Sequence, residues 1–137
     1  MFLLDHVSIA VRDLSRARPF YDAIMSALGA EKVSERPDAV GYGTRNAAGD
    51  DSHTYLSVYE SPSAAPDPRR HWCFRARSED EVRRFFAAGL GAGGSGNGAP
   101  GLRPDYHPAY FAAFLIDPDG NRVEAVYHRA GVRSVLM

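Results

Sequence analysis

A chain of 137 residues has room for one domain, or for two small similar halves that share a core. Its formal net charge of -1 offers no basic field for nucleic acid and no cationic face for an anionic membrane. No apolar stretch approaches the roughly 20 residues of a membrane span. Met1 to Asp5 meets an acid too early for a secretory signal, and a lone cysteine, Cys73, excludes an internal disulfide, so a soluble, cytoplasmic protein is the expectation.

Leu3 to Val11 alternates with the period of a strand. Val7, Ile9 and Val11 fall on one face and want a core; His6, Ser8 and Ala10 form a small polar face around a histidine, which suits a cavity wall. Asp13 is placed as the N-cap of a helix in which Leu14, Ala17, Phe20, Tyr21, Ile24 and Leu28 recur at helical spacing, and Gly29 is placed to end it. Pro19 removes one backbone donor and calls for a loose first turn. Three short strands are predicted next, at Val33-Ser34-Glu35, at Ala39 to Thr44 and at His53 to Tyr59, with a turn-rich patch from Asn46 to Ser52 before the last. In that last strand Tyr55, Ser57 and Tyr59 share a face opposite Leu56 and Val58. The segment 61–70, with Pro62, Pro66 and Pro68, reads as a linker between a first module, 1–60, and a second, 71–137.

The opening theme then returns. His71, Cys73 and Arg75 alternate with Trp72, Phe74 and Ala76, and Ser78 with Glu81 forms a capping box ahead of a helix carrying Val82, Phe85, Phe86 and Leu90. An offset of 65 positions places His6 on His71, Phe20-Tyr21 on Phe85-Phe86 and Gly29 on Gly94, which argues for an internal repeat of a strand–helix–strands unit. The glycine-rich run from Gly89 to Gly101 follows a helix and lacks the Gly-Lys-Ser/Thr ending of a phosphate cradle, so it reads as a helix exit and loop. Tyr110 to Tyr127 reads as a hairpin closed by Asp117-Pro118-Asp119-Gly120, with one acid, Glu124, inside the returning strand. The tail from His128 to Met137 is expected to lie over the sheet or a neighbouring subunit.

A carboxylate inside a strand needs a charge partner, hydrogen bonds or a metal. His6 and His71, made equivalent by the repeat, together with Glu124, suit a divalent first-row ion such as zinc, nickel, iron(II) or manganese. The competing reading makes both histidines satisfied core groups and pairs Glu124 with Arg75 or Arg122. On the residues alone both readings stay open.

The run from Leu4-Asp5-His6-Val7-Ser8-Ile9-Ala10-Val11-Arg12-Asp13-Leu14, then Phe20-Tyr21, His71-Trp72-Cys73-Phe74 and Phe114-Leu115-Ile116-Asp117-Pro118-Asp119-Gly120-Asn121-Arg122-Val123-Glu124, resembles the vicinal oxygen chelate superfamily of glyoxalases, bleomycin resistance proteins and extradiol dioxygenases. The resemblance spans nearly the whole chain. It is nearest to small glyoxalase-like members through Asn97 to Pro104 and Tyr106-His107-Pro108. It implies an α+β fold of two βαβββ modules forming a half-open mixed β-barrel around a cavity, usually in a homodimer. It also implies metal-ligand positions at His6, His71 and Glu124, and a small-molecule substrate or ligand. Glyoxalase I adds a fourth ligand from the last strand of its first half. Equal spacing here lands on Tyr59, one short of Glu60, leaving Glu60, Cys73 or water for that role. Extradiol dioxygenases pair a His with a Tyr; His107 fits the first position, and Phe114 fills the second. His107 and Tyr110 are the candidate acid–base groups, against plain roles in a loop and in packing. Three functions follow as expectations: a metal-dependent lyase, isomerase or group transferase on a small oxygenated molecule; a metal-free protein that sequesters a drug-like molecule; or an extradiol-type dioxygenase.

Overall fold

Each predicted strand–helix–strands unit builds its own mixed sheet in the computed structural model, which describes residues 3–44, 47–49 and 52–129. The first comprises β1 (His6–Val11), α1 (Leu14–Ala27), β2 (Lys32–Arg36), β3 (Ala39–Thr44) and β4 (Thr54–Glu60), in the strand order β1-β4-β3-β2. The second comprises β5 (His71–Arg75), α2 (Glu79–Gly91), β6 (Ser95–Gly96), β7 (Gly101–Leu102), β8 (Tyr110–Ile116) and β9 (Arg122–His128), in the order β5-β9-β8-β6 with β7 also on β8. In both, the first strand runs parallel to the last, β1 on β4 and β5 on β9, because a helix intervenes and returns the chain in the same direction. The α+β class and the paired modules expected from the sequence are both present. Among the described residues the strands form two separate sheets and no closed barrel. Part of the patch from Asn46 to Ser52, and the tail beyond Arg129, lie outside the described residues.

Local chemistry explains the elements. Asp13 caps α1 by accepting from Ser15 N at 3.0 Å, and Glu60 accepts from Leu14 N at 2.9 Å, so two carboxylates meet the helix's positive end. The helix runs on through Pro19, whose missing N–H leaves the Ser15 carbonyl without its usual partner. Ser78 caps α2 by accepting from Glu81 N at 3.0 Å, and Glu81 reaches back to Arg77 N and Arg77 Nε, each at 2.8 Å. Gly29 takes φ +76° after α1, as its position suggests. After α2 it is Gly93, at φ +102°, that turns the chain, while Gly94 lies so close to Phe20 that a Cβ would overlap the ring. The glycine-rich run is not wholly loop, since its β6 and β7 pair with β8.

One core joins the modules. Ile9, Val11, Leu56 and Val58 from the first sheet meet Phe20, Tyr21 and Ile24 of α1, Val82 and Phe85 of α2, and Phe111, Leu115 and Val123 of the second sheet. The helices cross at Gly89, where any side chain would run into Leu115, Ile24 and Phe20. Apolar residues of both sheets face this helical layer, so the polar faces of both sheets look away from it.

The hairpin turn is anchored by Asp117, which is 3% exposed. Its carboxylate accepts from Tyr21 Oη at 2.6 Å, Asp119 N at 2.9 Å, Asn121 N at 2.7 Å and Asn121 Nδ2 at 3.0 Å. Gly120, at φ +95°, closes the turn by donating to the Asp117 carbonyl. Asp117→Ala is expected to lower stability by about 3 kcal/mol, since it leaves buried donors unpaired around a lost charge-assisted network. Tyr21→Phe, which deletes a single donor, is expected to cost about 1–2 kcal/mol. Urea unfolding of the two variants reads both figures, and equal stability of Asp117→Ala and wild type would refute the anchoring role.

Candidate functional site

Antiparallel register between β8 and β9 sets Phe114 opposite Glu124 and Tyr110 opposite His128, and the parallel register of β5 on β9 sets Cys73 beside Glu124. Alternation then carries His71, Cys73, Glu124, Tyr110 and His128 to the same face of the second sheet, away from the helices. Glu124 is 2% exposed. Its Oε2 accepts from Tyr110 Oη at 2.5 Å, and its Oε1 lies 3.4 Å from His71 Nε2. Neither Arg75 nor Arg122 pairs with it among the described residues. Burial and the Glu124 charge hold the Tyr110 hydroxyl well above its ordinary range, so the phenol keeps its proton and donates it to the carboxylate.

Beside this pair stand two histidines. His107 Nδ1 accepts from Ala109 N at 3.0 Å, which puts the proton of neutral His107 on Nε2, 2.9 Å from His128 Nδ1. The rings stack with centroids 5.1 Å apart, and Tyr110 meets both edge-on. Desolvation, with His107 and Arg75 nearby, lowers the pKa of His128 and favours its neutral form. With Nδ1 accepting, neutral His128 carries its own proton on Nε2. His107 and Tyr110 are thus brought into contact, and Tyr110 links them to Glu124 and His71. His128 was missed as a site residue because it reads as the start of a tail; its signal was the alternation that continues from Glu124 through Val126.

The first sheet presents a different set. His6 Nδ1 lies 2.7 Å from Asp5 Oδ1, and its nearest ligand-type neighbours are Asp5 and His53. Among the described residues of the single chain, His6 groups with these two, while His71 stands with Glu124. Tyr55, Ser57 and Tyr59 share the face with His6, and together they line a cavity of about 770 Å³.

Pairing registers also locate the first-module counterpart of Glu124. Ser8 lies opposite Ser57 as Cys73 lies opposite Glu124, so the pseudo-equivalent of the acid is Ser57, not Tyr59. Glu60, one expected source of a fourth ligand, is turned to the N-terminus of α1 instead. Phe114, under the Arg103 guanidinium at 5.3 Å, offers no hydroxyl at the position where the dioxygenase pattern needs one.

Cys73 is the remaining candidate ligand. Although the residue reaches solvent, burial on its sulfur side and the charge of Glu124 push the thiol up to about 12. At pH 8 it is therefore expected to react far more slowly with iodoacetamide than an ordinary free thiol. Glu124→Gln removes the raising charge and is expected to speed alkylation several-fold; mass spectrometry of the labelled protein measures both rates. An unchanged rate in Glu124→Gln would show that the carboxylate does not hold the thiol protonated.

The model of the Glyoxalase/Bleomycin resistance protein/Dioxygenase superfamily matches residues 3–125. A glyoxalase/bleomycin resistance protein from Albidiferax ferrireducens T118 is similar in structure with a TM-score of 0.77 at 26% identity, covering 92% of this chain and 98% of that one. A glyoxalase/bleomycin resistance protein/dioxygenase family enzyme from Burkholderia phytofirmans PsJN gives a TM-score of 0.67 at 18% identity, covering 90% and 97%. A glyoxalase-related enzyme from Fulvimarina pelagi also gives 0.67 at 18% identity, covering 93% and 88%. The last two likenesses concern the fold alone. No curated protein matches the chain. Among the described residues no helix is long and apolar enough to cross a membrane.

Proposed function

The chain belongs to the Glyoxalase/Bleomycin resistance protein/Dioxygenase superfamily, and on that premise we propose that it is a divalent-metal-dependent lyase, isomerase or group transferase acting on a small oxygenated molecule. The carrying observation is Glu124, a carboxylate buried on the polar face of a sheet, which accepts from the Tyr110 hydroxyl and the Cys73 thiol and has the imidazole of His71 at 3.4 Å. A buried carboxylate without a full set of donors or a cationic partner is costly. His71 and Glu124 offer the imidazole and carboxylate that a zinc, nickel, iron(II) or manganese ion accepts, with His6 as third ligand. Because both polar faces look away from the helical core, a second copy of the chain in a homodimer is the natural source of that His6.

An ion held there supplies Lewis-acid polarisation of two neighbouring oxygens and stabilises the negative charge that develops on them. The protein's own groups do the rest. Tyr110 fixes the orientation of Glu124. His107 and His128 form a chain in which His128 presents a donatable N–H, and they are the groups we assign to proton transfer. A second reading, metal-free sequestration of a flat molecule, is favoured by Ser57, which leaves the first module without the acid that its counterpart position holds in the second. Tyr55 and Tyr59 beside it offer aromatic surface for stacking.

Metal analysis separates the two. Protein reloaded with zinc or manganese and dialysed is expected to retain an ion population that Glu124→Gln and His71→Gln remove, each weakening affinity by more than about tenfold. Protein that takes up no divalent ion, together with ligand binding and activity unchanged in His71→Ala, would leave the sequestration reading standing.

A further inference from the structure

The first sheet holds a cluster of ligand-type side chains that the reading above uses only through His6. Asp5 Oδ1 stands 2.7 Å from His6 Nδ1 and 3.5 Å from His53 Nε2. One ligand atom from each of the three residues lies within 4.8 Å of the other two. Bonds of about 2.0–2.2 Å to a tetrahedral ion set its ligand atoms about 3.4 Å apart; His53 Nε2 already stands at that spacing from the carboxylate, and an ion would replace the 2.7 Å hydrogen bond between His6 Nδ1 and Asp5.

His53 supplies an independent observation. Its side chain is 8% exposed, and its ring lies flat against Tyr55, with centroids 5.9 Å apart and planes at 14°. Its Nδ1 is buried with no hydrogen-bond partner among the described residues, and its Nε2 faces only Asp5. Leaving such a nitrogen unpaired costs about 1–3 kcal/mol. With Nδ1 enclosed, Nε2 on the Asp5 side is the nitrogen left to meet an ion. Asp5, His6 and His53 all line the 770 Å³ cavity, which leaves room for water or an oxygen ligand on the open side of an ion.

We propose that Asp5, His6 and His53 form a cation site of the first module, taking a divalent first-row transition ion through two imidazoles and one carboxylate. This goes beyond the function proposed above and does not rest on it. The two donor sets share His6 and part at Asp5 and His53 on one side, His71 and Glu124 on the other. An ion on the first module takes His6 through Nδ1, the nitrogen facing Asp5, and leaves Nε2 for the other set.

Cobalt(II) titration of metal-free protein, followed by calorimetry and by the visible absorption of the bound ion, tests the site. In the His71→Gln/Glu124→Gln background, which removes the two ligands proposed on the second sheet, about one cobalt per chain is expected to bind. Adding His53→Gln, or Asp5→Asn, is expected to weaken that binding by about tenfold or more. Thermal unfolding without metal checks that each variant is folded. A His71→Gln/Glu124→Gln protein that binds no cobalt overturns the proposal, as does binding that His53→Gln and Asp5→Asn leave unmoved in folded protein. Failure of the centre proposed on the second sheet shows separately, as metal content unchanged between wild type and His71→Gln/Glu124→Gln.

Discussion

Asp117 is the point at which the two modules become one structure. It sits in the turn of the second module's hairpin, yet one of its donors is Tyr21 from the first module's helix. Burying a carboxylate is costly unless its lone pairs are met, and four donors meet them here. The neighbouring Asp119 adds a second tie across the same junction by accepting from Arg12 N and Arg12 Nε. These contacts fix the hairpin's register, and register decides everything about Glu124. A slip of one residue would turn Glu124 into the apolar layer and carry Val123 out to the polar face.

The same junction settles what kind of site the chain can make. With α1 and α2 packed closely at Gly89, both sheets spend their apolar faces on one shared core, and their polar faces are turned away from it. Repetition of a module would then give two equal half-sites, and the structure departs from that equality at Ser57, Asp5 and His53. Ser57 occupies the position that Glu124 holds in the second module, while Asp5 and His53 add donors around His6 that have no counterparts around His71. The two faces therefore differ in chemistry although each is built on a first strand parallel to a last: one carries an acid bound to a phenol, the other an acid set between two imidazoles.

Strand alternation was legible because it depends only on neighbouring residues. His6, Ser8 and Ala10, or His71, Cys73 and Arg75, fall together for any register with the partner strand. The capping residues Asp13 and Ser78 and the turn from Asp117 to Gly120 were legible for the same reason. Glu60 was not, because its partner, Leu14 N, is 46 residues away and is brought near only by the parallel pairing of β1 with β4. Counting equal distances along the two halves failed at Ser57 because the halves differ in the lengths of their connections and keep equivalence only across the paired strands. His53 was hidden by the turn-rich patch before it. Nothing in a lone histidine at a strand's edge tells that its ring will be buried on Tyr55.

Tyr110 shows how the fold turns this asymmetry into chemistry. A phenol held well above its ordinary pKa is a poor acid but a dependable donor, so it fixes one oxygen of Glu124 and leaves the other facing His71. On its far side it touches the stacked pair of His107 and His128, whose tautomers are set by a single backbone donor, Ala109 N. The orientation of the carboxylate and the direction of the proton chain thus follow from one short segment, Tyr106 to Tyr110, where the chain enters β8. A molecule bound on this face would meet a carboxylate held at one oxygen by Tyr110 and an imidazole proton whose direction is set by the backbone, the kind of fixed geometry that the proposed proton transfer requires.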